Sequence, residues 1–340
     1  MDNLKLFTTS ELQSILKKRS KETKLGEHIS IFPNSNNIYE QLVKLDVSYV
    51  ILGIKEDVGV FANYGNSGTY NAWDAVIKIL LNIQSNAYTH AKQIAILGCL
   101  EFPKYQEQIS ALDQHKKKDI AKARKKVAAI DESVSFWVSQ IVSAGKIPIL
   151  IGGGHNNAYG NIKGTALALK KPINAINFDA HHDFRAEEGR HSGNGFSYAF
   201  AEGFLKNYFI FGLHENYTSD RIFRTLKKVK NVKYNTFESM MVRREKSFDA
   251  EMERALDHIA SKPFGLEIDC DAIQDMPSSA MTPSGFAVNK TRAFVNCFGK
   301  QEQVSYLHIC EAAPTQDNET QVGKLISYLI TDFIRAHESI

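Results

Sequence analysis

The chain has 340 residues, 43% of them hydrophobic and 23% charged, proportions of an ordinary globular protein able to bury a sizeable core. Its 41 basic residues nearly balance 38 acidic ones, leaving a formal net charge of +3, so no global field points to nucleic acid or to an anionic membrane. Length alone suits one large α/β domain or two smaller ones.

The opening segment, MDNLKLFTTSELQSILKKRS, mixes charge throughout and lacks the apolar core of a secretory signal. Residues 1–44 read as an N-terminal extension packed on the rest of the domain. A first strand is expected at Ser48–Gly53, a helix at Ala72–Leu81 and a second strand at Gln93–Leu97. His115–Lys126 (HKKKDIAKARKK) is strongly basic and reads as a solvated helix face rather than a nucleic-acid site. Val127, Ile130, Val134, Val138 and Ile141 then recur at spacings of three and four, one apolar helical stripe. Further strands are expected at Pro148–Ile151, Ile173–Phe178, Tyr208–Gly212, Val232–Tyr234, Phe264–Ile268 and Val304–Ile309, with helices at Phe248–Ile259 and Val322–Ile334. Several of these strands are apolar almost throughout, as strands covered on both faces of a parallel sheet must be.

No segment approaches the roughly 20 apolar residues that cross a bilayer. Cys99, Cys270, Cys297 and Cys310 show no CxxC spacing, and three of them sit in or beside apolar runs. A reducing, cytoplasmic setting fits them better than a disulfide scaffold. With no repeat and no Pro/Gly-rich linker, residues 1–340 read as one doubly wound α/β domain with helices on both faces of the sheet. In such sheets the chemistry lies just beyond the carboxyl ends of strands.

Three expected strands end directly in groups able to hold metal: Gly152-Gly153-Gly154-His155, Asp179-Ala180-His181-His182-Asp183 and Asp269-Cys270-Asp271. In extended chain, positions i, i+2 and i+4 share a side, which would converge Asp179, His181 and Asp183, and likewise Asp269 and Asp271. Three glycines let the backbone turn tightly before His155. Four carboxylates crowded at one sheet edge would repel and raise one another's pKa. Two divalent cations remove that repulsion, and oxygen-rich ligation with some imidazole suits Mn²⁺, with iron or cobalt compatible with the same donors. Such a pair lowers the pKa of shared water and stabilises a tetrahedral intermediate.

The motifs GGGHNN, FDAHHDFR and IDCDAIQDMP resemble, in order, the metal motifs of the arginase family, and the resemblance spans about residues 45 to 335. It implies a three-layer α/β/α sandwich with a mainly parallel sheet of about eight strands. It implies one ion held by His155, Asp179, Asp183 and Asp271, and a second by His181, Asp179, Asp269 and Asp271. Glu311 of Glu311-Ala312-Ala313-Pro314 matches the family's Glu-x-x-Pro glutamate, which contacts the substrate's cationic nitrogens. His191-Ser192-Gly193-Asn194-Gly195-Phe196 is similar to the substrate loop, which makes Ser192 and Asn194 candidate substrate contacts. Glu56–Val60 and Asn63–Gly68 are similar to a stretch of formimidoylglutamases.

Some positions depart from the family. Phe196 stands where arginases have a proton-shuttle histidine, as formimidoylglutamase-like loops do. Asn66 replaces an expected arginine, and Glu267 replaces the usual serine or threonine two residues before Asp269, reading as an acid that orients a ligand. His191 either replaces the missing shuttle or is a loop histidine, and His214 either contacts substrate or is a satisfied polar residue. Arg185 and Arg190 could each grip a substrate carboxylate or balance nearby acids. The function expected from the resemblance is hydrolysis of N-formimino-L-glutamate, a small amidine, to glutamate and formamide, with Asp183 relaying a proton. Alternatives are urea release from a guanidino compound, or a family member that has lost catalysis and only binds. Family relatives assemble in several ways, which leaves a homo-oligomer open.

Overall fold

The computed structural model describes residues 3–34 and 36–339. Among the described residues ten strands form one sheet: β1 (Leu4–Leu6), β2 (Ser30–Ile31), β3 (Tyr49–Lys55), β4 (Ile94–Glu101), β5 (Ile147–Ile151), β6 (Ile173–Phe178), β7 (Leu205–Leu213), β8 (Val232–Thr236), β9 (Phe264–Asp269) and β10 (Val304–Cys310). Their spatial order is β1-β4-β3-β5-β10-β9-β6-β7-β8, with β2 also beside β4. Only β1 runs antiparallel to its neighbour.

The eight strands legible in the sequence are β3 to β10, and the sheet exceeds the expected eight by β1 and β2. Those two are three and two residues long and carry no apolar run, so periodicity could not reveal them. β1 pairs with β4, which joins the start of the chain to the sheet.

The central strands are apolar on both sides because both faces are covered. One face packs the helices Ala72–Leu80, Phe248–Ile259, Val288–Gly299 and Glu319–His337 around an aromatic cluster that includes Phe178, Phe211, Phe286 and Phe294. The opposite face packs Lys117–Ser143, Asn157–Leu169 and Gly195–Ala201. The apolar stripe from Val127 to Ile141 is buried along the first of these, while Lys116, Lys117, Lys118, Lys122 and Lys125 are exposed. Helix Asn157–Leu169 was not legible because glycines and alanines blur its stripe. The glycines have a purpose: a Cβ at Gly160 would lie 2.7 Å from the Val134 side chain, so the two helices could not close at this distance with a larger residue.

The arrangement brings β5, β10, β9 and β6 side by side in mid-sheet. Their carboxyl ends point to one edge, where the three metal-type motifs emerge next to one another. No helix among the described residues is long and apolar enough to cross a membrane. All four cysteines are free.

Candidate metal centre

After β5, Gly152 (φ 88°) and Gly153 (φ 71°) turn through left-handed backbone that disfavours side chains, bringing His155 inward. The buried Glu56 holds this loop, accepting from Gly154 N at 2.8 Å, Asn157 Nδ2 at 2.8 Å and Gly59 N at 3.0 Å. Neighbouring β10 adds two ties: Glu311 N donates to Gly153 O at 3.0 Å, and His155 N donates to Glu311 Oε1 at 2.6 Å. Loop and glutamate therefore fix each other.

The two aspartate motifs use one local device, and it is not the extended alternation expected from spacing. β6 ends at Phe178, and the Asp179 carboxylate accepts from His181 N at 2.6 Å. After β9, the Asp269 carboxylate accepts from Asp271 N at 2.8 Å within a short turn. Each leading aspartate thus folds the next residues back over the strand end, as Asx turns do. Asp183 sits at φ 42°, a strained value for a non-glycine residue, and points back to the same place.

The six candidate ligands converge. His155 Nδ1 lies 2.9 Å from Asp183, 3.0 Å from Asp269 and 3.3 Å from Asp179. His181 Nδ1 lies 2.9 Å from Asp271 and 3.6 Å from Asp179. Two groups of donors result, one of His155, Asp179, Asp183 and Asp269, the other of Asp179, His181 and Asp271. The partition differs from the one the resemblance implied: Asp269 rather than Asp271 joins His155, because the turn after Asp269 carries Asp271 one step toward His181.

These residues fit a pair of cations. Among the described residues, the basic groups within ion-pair distance of the four carboxylates are His155 and His181, and no lysine or arginine reaches them. Asp271 Oδ1 is buried without a hydrogen-bond partner. Burial, with the charges of Asp271 and Asp179, pushes the Asp269 carboxyl well above its usual range. Burial and Asp179 raise Asp183 to about 6. Burial works against charging the two imidazoles, yet the surrounding acids hold both well above the ordinary histidine value. Such a cluster stores protons wherever cations do not neutralise it.

A pH dependence results. Cation binding needs neutral imidazoles and ionised carboxylates, so it must expel the stored protons. Manganese affinity is therefore expected to rise as pH passes about 6, where Asp183 ionises, and to go on rising above it as Asp269 and the two imidazoles release their protons, with net proton release on binding. Calorimetric titration in buffers of different ionisation heat measures both; affinity that is flat with pH would contradict the cluster described.

The cluster floors a cleft of about 430 Å³, into which Asp183, Asp271 and Glu311 open. Glu311 is buried at φ 61°, and burial pushes its carboxyl up to about 8 although Ser279 Oγ and His155 N donate to it. Arg185 and Ser192 line the wall, each bonded to Asn63, Arg185 Nη1 donating to Oδ1 at 2.9 Å and Asn63 Nδ2 donating to Ser192 Oγ at 3.1 Å.

Other expected site residues do not reach the cleft. Asn194 is buried with its amide fully used: Oδ1 accepts from Arg190 and His191 N, and Nδ2 donates to Ala186 O and Gly189 O. It braces the loop and is corrected from substrate contact to scaffold. His191 is also fully buried, its Nδ1 accepting from Gly193 N, and burial lowers its pKa to about 3. His191 does not line the cleft, which favours a loop histidine over a proton shuttle. Arg190 is paired with Asp131 at 2.8 Å beneath the loop. His214 is buried between the rings of Tyr217 and Phe237 and does not line the cleft, which favours packing over substrate contact. Tyr217 itself went unnoticed in the sequence, yet it stacks on His181 with ring centres 5.6 Å apart and forms part of the wall. Ser279, a loop residue with no periodic signal, was missed as well, whereas Asn63 lay in the stretch similar to formimidoylglutamases without a role of its own. Phe196 places its ring edge-on to His155 at 5.2 Å, an apolar contact where a histidine relay would stand.

Comparison with known proteins agrees with this geometry. The sequence profile of the arginase family matches residues 48–335. A formimidoylglutamase of Macrococcus caseolyticus is 24% identical over 300 residues, 85% of each chain. Among solved structures, formimidoylglutamase from Bacillus subtilis superposes with a TM-score of 0.74 at 18% identity, covering 95% of this chain and 94% of that one. Trypanosoma cruzi formiminoglutamase with manganese superposes with a TM-score of 0.72 at 19% identity, covering 93% and 98%. At such identities the superpositions establish a shared fold.

Proposed function

The chain belongs to the arginase family, and on that premise we propose that it is a two-manganese hydrolase that cleaves a C–N bond of a linear amidine. Its substrate is N-formimino-L-glutamate, which with water gives L-glutamate and formamide. The observation that carries this reading is the convergence of four acids and only two imidazoles at the floor of one cleft. The relatives named formimidoylglutamase support the substrate. So does Phe196, whose ring leaves no histidine relay of the arginase kind beside His155.

In this reading His155, Asp179, Asp183 and Asp269 would hold one ion, and Asp179, His181 and Asp271 a second. When bound, the ions make water nucleophilic near neutral pH and polarise the carbon under attack. The protein's own groups do the rest. Glu311, at the cleft and fixed by Ser279 and His155 N, accepts the N–H groups of the cationic amidine and orients its carbon toward the floor. Asp183, which opens into the cleft, takes the proton released by the attacking water and returns it to the departing amine. At the wall, Arg185 presents a guanidinium to the substrate's carboxylates, with Ser192 beside it.

Product identification tests the reading. Manganese-loaded protein given N-formimino-L-glutamate and a panel of guanidino acids is expected to yield formamide and glutamate. Urea from a guanidino compound would overturn the substrate. Two bound ions with no product from any amidine or guanidine would point to a binding protein that has lost catalysis.

A further inference from the structure

A second row of polar side chains lies one step beneath the candidate ligands. In the sheet, Glu267 of β9 is the register partner of His308 in β10 and of Asn177 in β6, just as Asp269 is the partner of Cys310 above it. Glu267 and His308 are completely buried. Tyr306 Oη donates to Glu267 Oε1 at 2.8 Å, and His308 Nδ1 lies 2.5 Å from Oε2. The far side of His308 faces the glycine loop, with Nε2 3.4 Å from Gly152 O.

Space for this arrangement is built into the strand. Tyr306 pairs in register with Gly265, and a Cβ there would lie 2.1 Å from the tyrosine ring. Only glycine lets that ring cross β9 to reach Glu267, two residues on.

The other end of Glu267 faces the metal centre. His155 turns Nδ1 to the three aspartates, so Nε2 must carry the proton of the neutral ring. That atom is buried without a hydrogen-bond partner, and the acid facing it is Glu267 Oε2 at 3.5 Å, an ion-pair distance longer than a hydrogen bond. Histidines that bind metal characteristically donate their second ring N–H to such a carboxylate, which fixes the tautomer and the ring's direction. His155, Glu267 and Cys310 could also be seen as donors to a further cation. Both Glu267 oxygens are already engaged by Tyr306 and His308, however, and Cys310 Sγ points to Ile268 O at 3.6 Å.

We infer that Glu267, braced by His308 and Tyr306, is a positioning residue that holds His155 with Nδ1 aimed into the metal centre. The inference rests on the two-ion reading above and assigns the unequal support of the two ions: His155 has this brace, whereas His181 stacks on the half-exposed Tyr217.

Manganese-loaded wild type, Glu267→Gln and Tyr306→Phe proteins, titrated with a chelator and followed by electron paramagnetic resonance, test it. Glu267→Gln is expected to weaken one of the two ions by about 10- to 100-fold, turning the coupled-pair signal into that of a single ion at low chelator. Tyr306→Phe, which keeps the ring and the carboxylate, should move the same way by less. Wild-type affinity in both variants would overturn the inference, as would loss of both ions together in step with a lower melting temperature of the cation-free protein. If Glu267→Gln does not fold, Tyr306→Phe decides alone by the same two criteria. A wild-type protein that binds no manganese would instead overturn the two-ion reading beneath it.

Discussion

Asp179→Asn is expected to lower turnover of the manganese-loaded protein by about a thousandfold or more and to release both ions. Asp179 is the one candidate ligand within reach of both imidazoles, 3.3 Å from His155 and 3.6 Å from His181, and it belongs to both donor groups. Removing its charge therefore weakens two sites at once, whereas loss of Asp183 or Asp271 touches one. A dication's stabilisation of developing charge is worth several kcal/mol, and about 4 kcal/mol is roughly a factor of a thousand in rate. Asparagine has the shape of aspartate, and its carbonyl oxygen can still accept from His181 N, so the turn after β6 should survive. Metal content, turnover and circular dichroism measured together separate lost chemistry from lost fold. Turnover within tenfold of wild type with both ions retained would contradict the shared role of Asp179.

Glu311→Gln is expected to behave differently: kcat/KM falls by roughly a hundred- to a thousandfold while both ions stay bound. The carboxylate lies in the cleft but in neither donor group, so on the proposed reading its charge serves the substrate rather than the cations. Burial pushes its carboxyl up to about 8, as expected of a carboxylate with little access to water. A cationic amidine supplies the missing counter-charge, and hydrogen bonds to charged partners in such places are roughly twice as strong as neutral ones. Glutamine keeps an acceptor for His155 N, so the glycine loop should remain in place. Retention of metal with a small change in kcat/KM, below about threefold, would remove Glu311 from substrate binding.

Much of this centre was legible in the sequence because each motif directly succeeds an apolar run. The runs fix where strands end, and parallel strands place all such ends on one edge. His155, Asp179, His181, Asp183, Asp269 and Asp271 could thus be brought together without coordinates. How they are brought together was not legible. Spacing suggested extended alternation, whereas the aspartates cap their own turns and Asp183 adopts a left-handed backbone. Which aspartate accompanies which histidine depends on that turn geometry, and so the partition of Asp269 and Asp271 had to be corrected.

The substrate loop shows a different limit. A motif match marks His191, Ser192 and Asn194 alike, but only Ser192 faces the cleft. Asn194 and His191 are engaged by the loop's own backbone and by Arg190, a matter of local hydrogen bonding that residue type does not reveal. Glu267 shows the converse. A single unusual acid in a buried strand demanded partners: the sheet register supplied His308, and Gly265 let Tyr306 reach across from its own register position.

The most direct test of the two-ion centre is anomalous diffraction at the manganese edge from crystals of the loaded protein. Two peaks about 3.5–4 Å apart are expected, one against His155 and Asp183, the other against His181 and Asp271, with Asp179 touching both. A single peak, or peaks away from these residues, would contradict it.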